Sequence, residues 1–191
     1  MDARHLRPAL IPTVLAGALT FMGARAYGDE TFKLESTAVV ANGSFAAEQV
    51  YNDFGCQGGN VSPPLHWSGA PSGAKSFAVT MYDPDAPGGS GWWHWAIYDI
   101  PGAVTALPPG AGNPGGKLPT GTAQGRTDFG FAAYGGPCPP PHDKPHHYVL
   151  TLYALATEHL ALPAGVSARE VDAAAKAHSL AATRFTALYG R

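Results

Sequence analysis

The sequence predicts a mainly β domain of short strands joined by tight turns, closed near its C-terminus by one helix. Three observations predict it. Apolar and β-branched runs with a period of two recur along the chain, as in residues 76–82 (SFAVTMY) and 147–155 (HYVLTLYAL). The 24 Gly and 18 Pro interrupt those runs instead of clustering, which marks turns rather than disorder. Only one stretch, beginning at Ser167, carries a helix start signal.

The N-terminal residues stand apart from that pattern. Arg4 and Arg7 precede an uncharged, mostly apolar run over residues 8–22, followed by the small-x-small sequence Ala24-Arg25-Ala26. That order is a secretory signal with cleavage after Ala26. The apolar run falls short of the ~20 residues a membrane-spanning helix needs, and Pro12 interrupts it. Residues 1–26 are therefore expected to be a leader and residues 27–191 a single domain, long enough for a core of its own. The expected location is the periplasm or the exterior, with no transmembrane anchor. The leader holds three Arg against Asp2, so the mature chain is more acidic than the full chain's net charge of −2. A mildly acidic chain without a Lys/Arg cluster argues against nucleic acid as a partner. Cys56 and Cys138 both lie in the exported part. An oxidising compartment and an even count make one disulfide between them the expectation.

Along the mature chain, residues 31–40 (TFKLESTAVV) read as an early strand and Asn42-Gly43 as a turn. Residues 51–64 (YNDFGCQGGNVSPP) are turn chemistry throughout, a structured loop. Leu65-His66-Trp67 is a short extended piece. Residues 76–82 place Phe77, Val79 and Met81 on one face of a strand that ends in Asp83-Pro84-Asp85-Ala86-Pro87. A second strand spans residues 92–100 (WWHWAIYDI) and stops at Pro101-Gly102. Residues 107–125 lack periodicity and read as one long loop, a length that in a compact domain is usually functional or mobile. In residues 147–155, Tyr148, Leu150 and Leu152 face one way and Val149, Thr151 and Tyr153 the other. Both faces are largely apolar, which places this strand mid-sheet. Ser167-Ala168-Arg169-Glu170 fits a capping box, and Val171, Ala174 and Ala175 make a weak apolar stripe for a helix to about His178.

Three polar stretches interrupt these strands and are candidates for one site. Two prolines hold Asp83 and Asp85. His94 sits between Trp93 and Trp95, and strict alternation puts it on the face opposite both. Residues 139–148 (PPPHDKPHHY) bring His142, His146, His147 and Tyr148 into the central strand. Each stretch also has a plain structural reading: a rigid turn, a satisfied core histidine, a polar strand entrance. A metal site on His142 and His146 would need a helix to align that spacing, and the prolines there exclude one.

Taken together and in order, the Asp83-Pro84-Asp85-Ala86-Pro87 turn, GSGWWHWAIYDIP, GRTDFG and GGPCPPPHDKPHHY resemble the phosphatidylethanolamine-binding (Raf-kinase-inhibitor-like) family. The upstream segment CQGGNVSPPLHWSGAPSGAKSFAVTMY, the leader and the two cysteines are similar to its bacterial, periplasmic branch. The resemblance covers about residues 31–190. It implies a mainly β, antiparallel β-sandwich-like fold with a C-terminal helix. It also implies a small pocket that takes a phosphate-like anion or a phospholipid head group. By motif position that pocket involves Asp83, His94, His146 and Tyr148, with Pro84 and Trp93 in its walls and Gly136 and Pro139 in the loop at its mouth. Position 147, often Arg in relatives, is His here, which weakens the expected positive field.

Donors suited to an anion are present: two imidazoles, a phenol and loop amides. Asp83 cannot attract an anion and is expected to orient an imidazole instead. No cofactor and no metal is implied. The expected function is binding, with a regulatory or inhibitory role through a protein partner, and a homodimer is left open. A hydrolase using a His/Asp acid–base pair is the alternative; no G-x-S-x-G elbow or H-E-x-x-H motif supplies a nucleophile or a metal. A serine protease inhibitor is a further alternative, without a recognisable reactive loop.

Overall fold

The computed structural model describes Met1 and residues 31–191; the expected leader and its cleavage point lie outside the described residues. The elements in chain order are β1 (Lys33–Glu35), β2 (Leu65–Ser68), β3 (Ser76–Asp83), β4 (Trp92–Pro101), β5 (Ala106–Leu107), β6 (Ala123–Gln124), β7 (His146–Leu155), α1 (Ala168–His178) and β8 (Ser179–Tyr189). They build two antiparallel sheets, of order β1-β2-β5 and β6-β4-β3-β7-β8.

The layers follow from the two faces of the larger sheet. One face sends Phe77, Val79, Met81, Ile97, Leu150 and Leu152 against Leu34, Leu65, Trp67 and Leu107 of the smaller sheet. The opposite face sends Ala78, Trp93, Ala96 and Tyr153 against Val171 and Ala175 of α1. The strands β3, β4 and β7 of the larger sheet are thus buried on both sides, which explains the near-continuous apolar character of β3 and β7. β7 lies between β3 and β8, the mid-sheet place its sequence predicts.

Helix α1 starts where its cap says it should. The Glu170 amide donates to the Ser167 hydroxyl, and the Glu170 carboxylate accepts from the Ser167 amide at 2.9 Å. The Ser167 hydroxyl donating to the Glu170 carboxylate at 2.6 Å, together with the Ser167 amide, holds the Glu170 carboxyl below its usual pKa. Asp172, in the first turns of α1, accepts hydrogen bonds from Tyr153 Oη (2.8 Å) and Thr80 Oγ1 (3.1 Å), fixing the helix to the sheet.

Three expectations need correction. The early strand is only β1, because the Ser36 hydroxyl accepts the Ala38 and Val39 amides and turns the chain out of the sheet. Residues 107–125 are not wholly loop: β5 ends within them, and β6 adds the sheet edge on β4. The largest difference is β8, eleven residues long and paired with β7 along its length. Its sequence, SLAATRFTALY, is rich in Ala, leaves Leu180 exposed and buries only Phe185 and Ala187 fully, so no period-two signal marks it.

The Cys56–Cys138 disulfide is present, closing a separation of 82 residues. It joins the turn-rich 51–64 loop to the Gly/Pro loop before β7. No helix among the described residues is long and apolar enough to cross a membrane.

Candidate functional site

Antiparallel pairing brings the end of β3 beside the starts of β4 and β7. Asp83 closes β3 opposite Trp92, and Tyr82 pairs with Val149 of β7. His146 and Tyr148 therefore open β7 next to the Asp83 turn. His94 arrives through an irregularity: Tyr82 pairs with Trp93 and Met81 with Trp95, which leaves His94 as the extra residue of a β-bulge. The bulge corrects the alternation argument. Trp93 does face away, stacking on Tyr82 at 4.5 Å on the helix side. Trp95 does not; it packs on Tyr134 in the core between the sheets, the side on which His94 meets Tyr148 and Phe129.

These side chains surround a cavity of about 170 Å³ lined by Asp83, His94, His146 and Tyr148, with Trp92 and Phe129 among its apolar walls. At a liquid share of ~30 Å³ per water it holds roughly five or six waters, the scale of a small anion or head group rather than of a whole lipid.

The hydrogen bonds fix the proton on each imidazole. His94 Nδ1 lies 2.8 Å from the Gly135 carbonyl oxygen, which can only accept, so Nδ1 carries the hydrogen and Nε2 of the neutral ring keeps a lone pair. The Gly135 amide in turn donates to the His94 carbonyl at 3.0 Å. Burial pushes the His94 pKa down, against the opposing pull of the Gly135 carbonyl and the Asp83 charge. His146 Nδ1 donates to Asp83 Oδ2 at 2.8 Å, with both residues more than nine-tenths buried. The other Asp83 oxygen accepts the Asp85 amide at 2.8 Å and closes the turn. Both carboxylate oxygens are thus engaged, and Asp83 orients His146 as an imidazole-fixing carboxylate should. Asp143 Oδ2 stands 3.7 Å from His146 Nε2, too long for a hydrogen bond but within ion-pair range.

Tyr148 is fully buried, and its hydroxyl has no hydrogen-bond partner among the described residues. Burial, followed by the Asp83 charge, raises its pKa far above the usual phenol value, so it remains a donor; the Asp83 carboxylate lies close enough to contribute to that shift but does not meet hydrogen-bond geometry with the hydroxyl, and both its oxygens are already engaged. The Trp92 indole N–H is likewise buried without a partner.

Not every residue expected at the pocket is there. Pro84 is exposed on the outside of its turn, and Ala86 and Pro87 supply that wall instead. Trp93 lies on the opposite face of β4 from His94, against the helix side, and its neighbour Trp92 lines the cavity. Gly136 lies behind the pocket, not in its lining. Its amide donates to Asn60 Oδ1 at 2.8 Å, and a Cβ there would come within 2.1 Å of the Gln49 carbonyl oxygen, which leaves room only for glycine. Pro139 does line the pocket, beside Pro140 and the disulfide-bonded Cys138. His147 points outward; its amide and Nδ1 both lie 2.7 Å from Asp85 Oδ2. Asp85 is held below its usual pKa: its slight burial works the other way and is outweighed by these two His147 bonds. His142 occupies an exposed turn with φ of 70°. No group of three or more metal-ligating side chains converges among the described residues.

Sequence reasoning missed Phe54 and Phe129, both lining residues. Neither sits in a strand whose periodicity would have placed it; the nearby disulfide expectation was the available pointer to Phe54.

Comparison with known proteins agrees with this architecture. Residues 35–190 match the family model described as phosphatidylethanolamine-binding protein. The chain is 46% identical over 185 residues to the UPF0098 protein YbcL of Escherichia coli, covering 96% of this chain and 98% of that protein. It is 44% identical over 140 residues to YbhB of the same organism, covering 73% and 88%. The crystal structure of E. coli YbcL superposes with a TM-score of 0.81 at 48% identity, covering 84% of this chain and 98% of that one. The crystal structure of CT736 from Chlamydia trachomatis superposes with a TM-score of 0.71 at 29% identity, covering 84% and 97%.

Proposed function

Because the chain belongs to the phosphatidylethanolamine-binding protein family, we propose that its pocket binds a phosphate-like anion or the phosphate of a phospholipid head group. The protein acts by binding rather than by turnover, as an exported protein that regulates or inhibits a protein partner. One observation carries the reading: a fully buried Tyr148 hydroxyl with no hydrogen-bond partner among the described residues, lining a cavity that His94 and His146 also line. A buried hydroxyl left unpaired costs ~1–3 kcal/mol, which a bound oxygen acceptor would recover. Trp92 Nε1 adds a second donor of the same kind. His146, fixed by Asp83, directs Nε2 away from that carboxylate, with Asp143 Oδ2 at 3.7 Å the nearest acidic oxygen to it. Calorimetric titration with inorganic phosphate and with phosphoethanolamine tests this. Saturable one-to-one binding that Tyr148→Phe weakens is expected; the absence of binding by either ligand contradicts it.

One observation favours a second reading. The Asp83–His146 pair at 2.8 Å is also the arrangement of a general base and its orienting carboxylate. Hydrolysis of phosphate or carboxylate esters that vanishes in His146→Ala would establish that reading; turnover indifferent to His146 and His94 would remove it.

A further inference from the structure

The carbonyl that fixes the His94 tautomer is itself held by a side chain outside the pocket. The Gly135 carbonyl accepts the His94 Nδ1 hydrogen at 2.8 Å. It belongs to the same peptide group as the Gly136 N–H, and in a trans peptide the two bonds point in opposite directions. The Gly136 N–H ends on Asn60 Oδ1 at 2.8 Å. One line of donation therefore runs from His94 Nδ1 through this peptide to Asn60. Each bond in such a line polarises the next, so the Asn60 oxygen makes the Gly135 carbonyl a stronger acceptor.

Asn60 is built for this place. Its Nδ2 faces the Tyr134 carbonyl at 3.4 Å, so one side-chain amide brackets Gly135 from both sides. The Gly136 N–H can only donate and the Tyr134 carbonyl can only accept, which settles the orientation of that amide. The Asn60 backbone is pinned as well: its N–H donates to the Val50 carbonyl at 2.8 Å, and its carbonyl accepts Asn113 Nδ2 at 2.6 Å. Its φ is 50°, a left-handed conformation that asparagine tolerates and most side chains do not. Gly135 and Gly136 are buried, whereas Asn60 is half-buried and does not line the cavity.

We infer that Asn60 is a positioning residue of the pocket, which holds the His94 hydrogen on Nδ1 through the Gly135–Gly136 peptide and so keeps Nε2 a bare lone pair. The inference rests on the reading of the cavity as an anion pocket. Its consequence there is selective: a ligand oxygen meets Nε2 only with a proton between them, and the proton is taken up on binding. The titratable groups that bear on His94 are Asp83 and Asp128 by charge, Tyr148 by ring contact and His146 across the cavity. None of them is altered by a substitution at Asn60.

Nitrogen-15 NMR of the imidazoles in the ligand-free protein reads the tautomer, and calorimetry with inorganic phosphate in buffers of different ionisation enthalpy reads the proton uptake. Wild type is expected to show His94 as the Nδ1–H tautomer. Asn60→Gly keeps the left-handed backbone and removes the acceptor. His94 should then become a mixture of both tautomers, and proton uptake should fall clearly below about one per phosphate. Asn60→Asp keeps the acceptor and strengthens it with charge. It should show the Nδ1–H tautomer alone, with the Nδ1 proton resonance further downfield than in wild type. His146, tied to Asp83, should keep its own state in both variants. An unchanged His94 in either variant, or a wild-type His94 protonated on Nε2, overturns the relay; so does an equal disturbance of His146, which would mark a general loss of packing. If Asn60→Gly does not fold, Asn60→Asp decides alone. A tautomer that answers to Asn60 in a protein that binds no phosphate upholds the relay and overturns the anion pocket; phosphate binding with a tautomer indifferent to Asn60 does the reverse.

Discussion

His94 Nδ1 donates to the Gly135 carbonyl at 2.8 Å, and that one bond sets what the pocket can accept. It commits the only hydrogen of the neutral imidazole to the backbone. Nε2 can meet a ligand oxygen only if a proton lies between them, carried either by the ring or by the ligand. The charged groups that bear on it, Asp83 and Asp128, are acidic and favour the protonated ring, but burial of His94 outweighs them. Among the described residues, no lysine or arginine lines the cavity.

Binding of a phosphomonoester should therefore be proton-linked. Such a group loses its second proton near pKa ~6, so above that pH each bound ligand takes up about one proton. Affinity is expected to fall about tenfold per pH unit between roughly pH 7 and 8.5. Calorimetry in buffers of different ionisation enthalpy measures the proton count directly; a pH-independent affinity would contradict the His94 geometry.

His94 should also leave its mark on stability. Its folded pKa is depressed below the ordinary value of 6.5 by burial, so the unfolded chain binds the proton more readily. The stabilisation is thus fully present above pH ~6.5 and is lost as pH falls towards the folded pKa. Melting curves at pH 7.5 and 5 should show wild type losing more stability than His94→Gln. An equal loss in both would show that the buried imidazole is not responsible.

Tyr148→Phe should separate stability from binding. Removing a buried hydroxyl that has no partner is expected to leave the free protein unchanged or more stable by about 1 kcal/mol, as read by urea denaturation. The same substitution should weaken phosphate binding. A clear loss of stability in the free protein would mean that the hydroxyl already has a partner.

Much of this was legible in advance, and the failures have physical causes. The strands around Phe77–Met81 and Tyr148–Leu152 were plain because both faces of the larger sheet are buried. The helix start was plain because Ser167 and Glu170 cap each other. The site's four polar residues came from ordered motifs rather than from periodicity. Trp95 was misplaced because a bulge adds one residue at His94, and no local rule reveals a bulge whose extra residue is an ordinary histidine; Trp93 does face away from His94, as alternation has it, and so cannot form the pocket wall. Strand β8 escaped because its half-exposed, Ala-rich sequence takes its form from pairing with β7, a contact that sequence patterning does not record.

Asp83→Ala leaves the buried His146 without its carboxylate. Leaving the buried His146 Nδ1–H without its acceptor costs about 1–3 kcal/mol. A double-mutant cycle with His146→Ala is expected to show strong coupling; additive effects would mean that the pair is energetically idle.

Reduction of Cys56–Cys138 should cost about 4–5 kcal/mol in the chain-entropy account, given the 82-residue separation. It should also weaken ligand binding, because Cys138 lines the pocket and the disulfide holds the Phe54 turn against it. Cys56→Ser with Cys138→Ser, compared with wild type in thermal melts and phosphate titrations, measures both; unchanged affinity would confine the disulfide to stability.

The most direct test of the central claim is a phosphate titration followed through the imidazole nitrogens of the wild-type protein by NMR. The account predicts saturable shifts of His94 Nε2 and His146 Nε2 at one shared midpoint, with His142 and the other exposed histidines unmoved. Imidazole resonances that stay in place as phosphate is raised, or that move only with those of the exposed histidines, would contradict it.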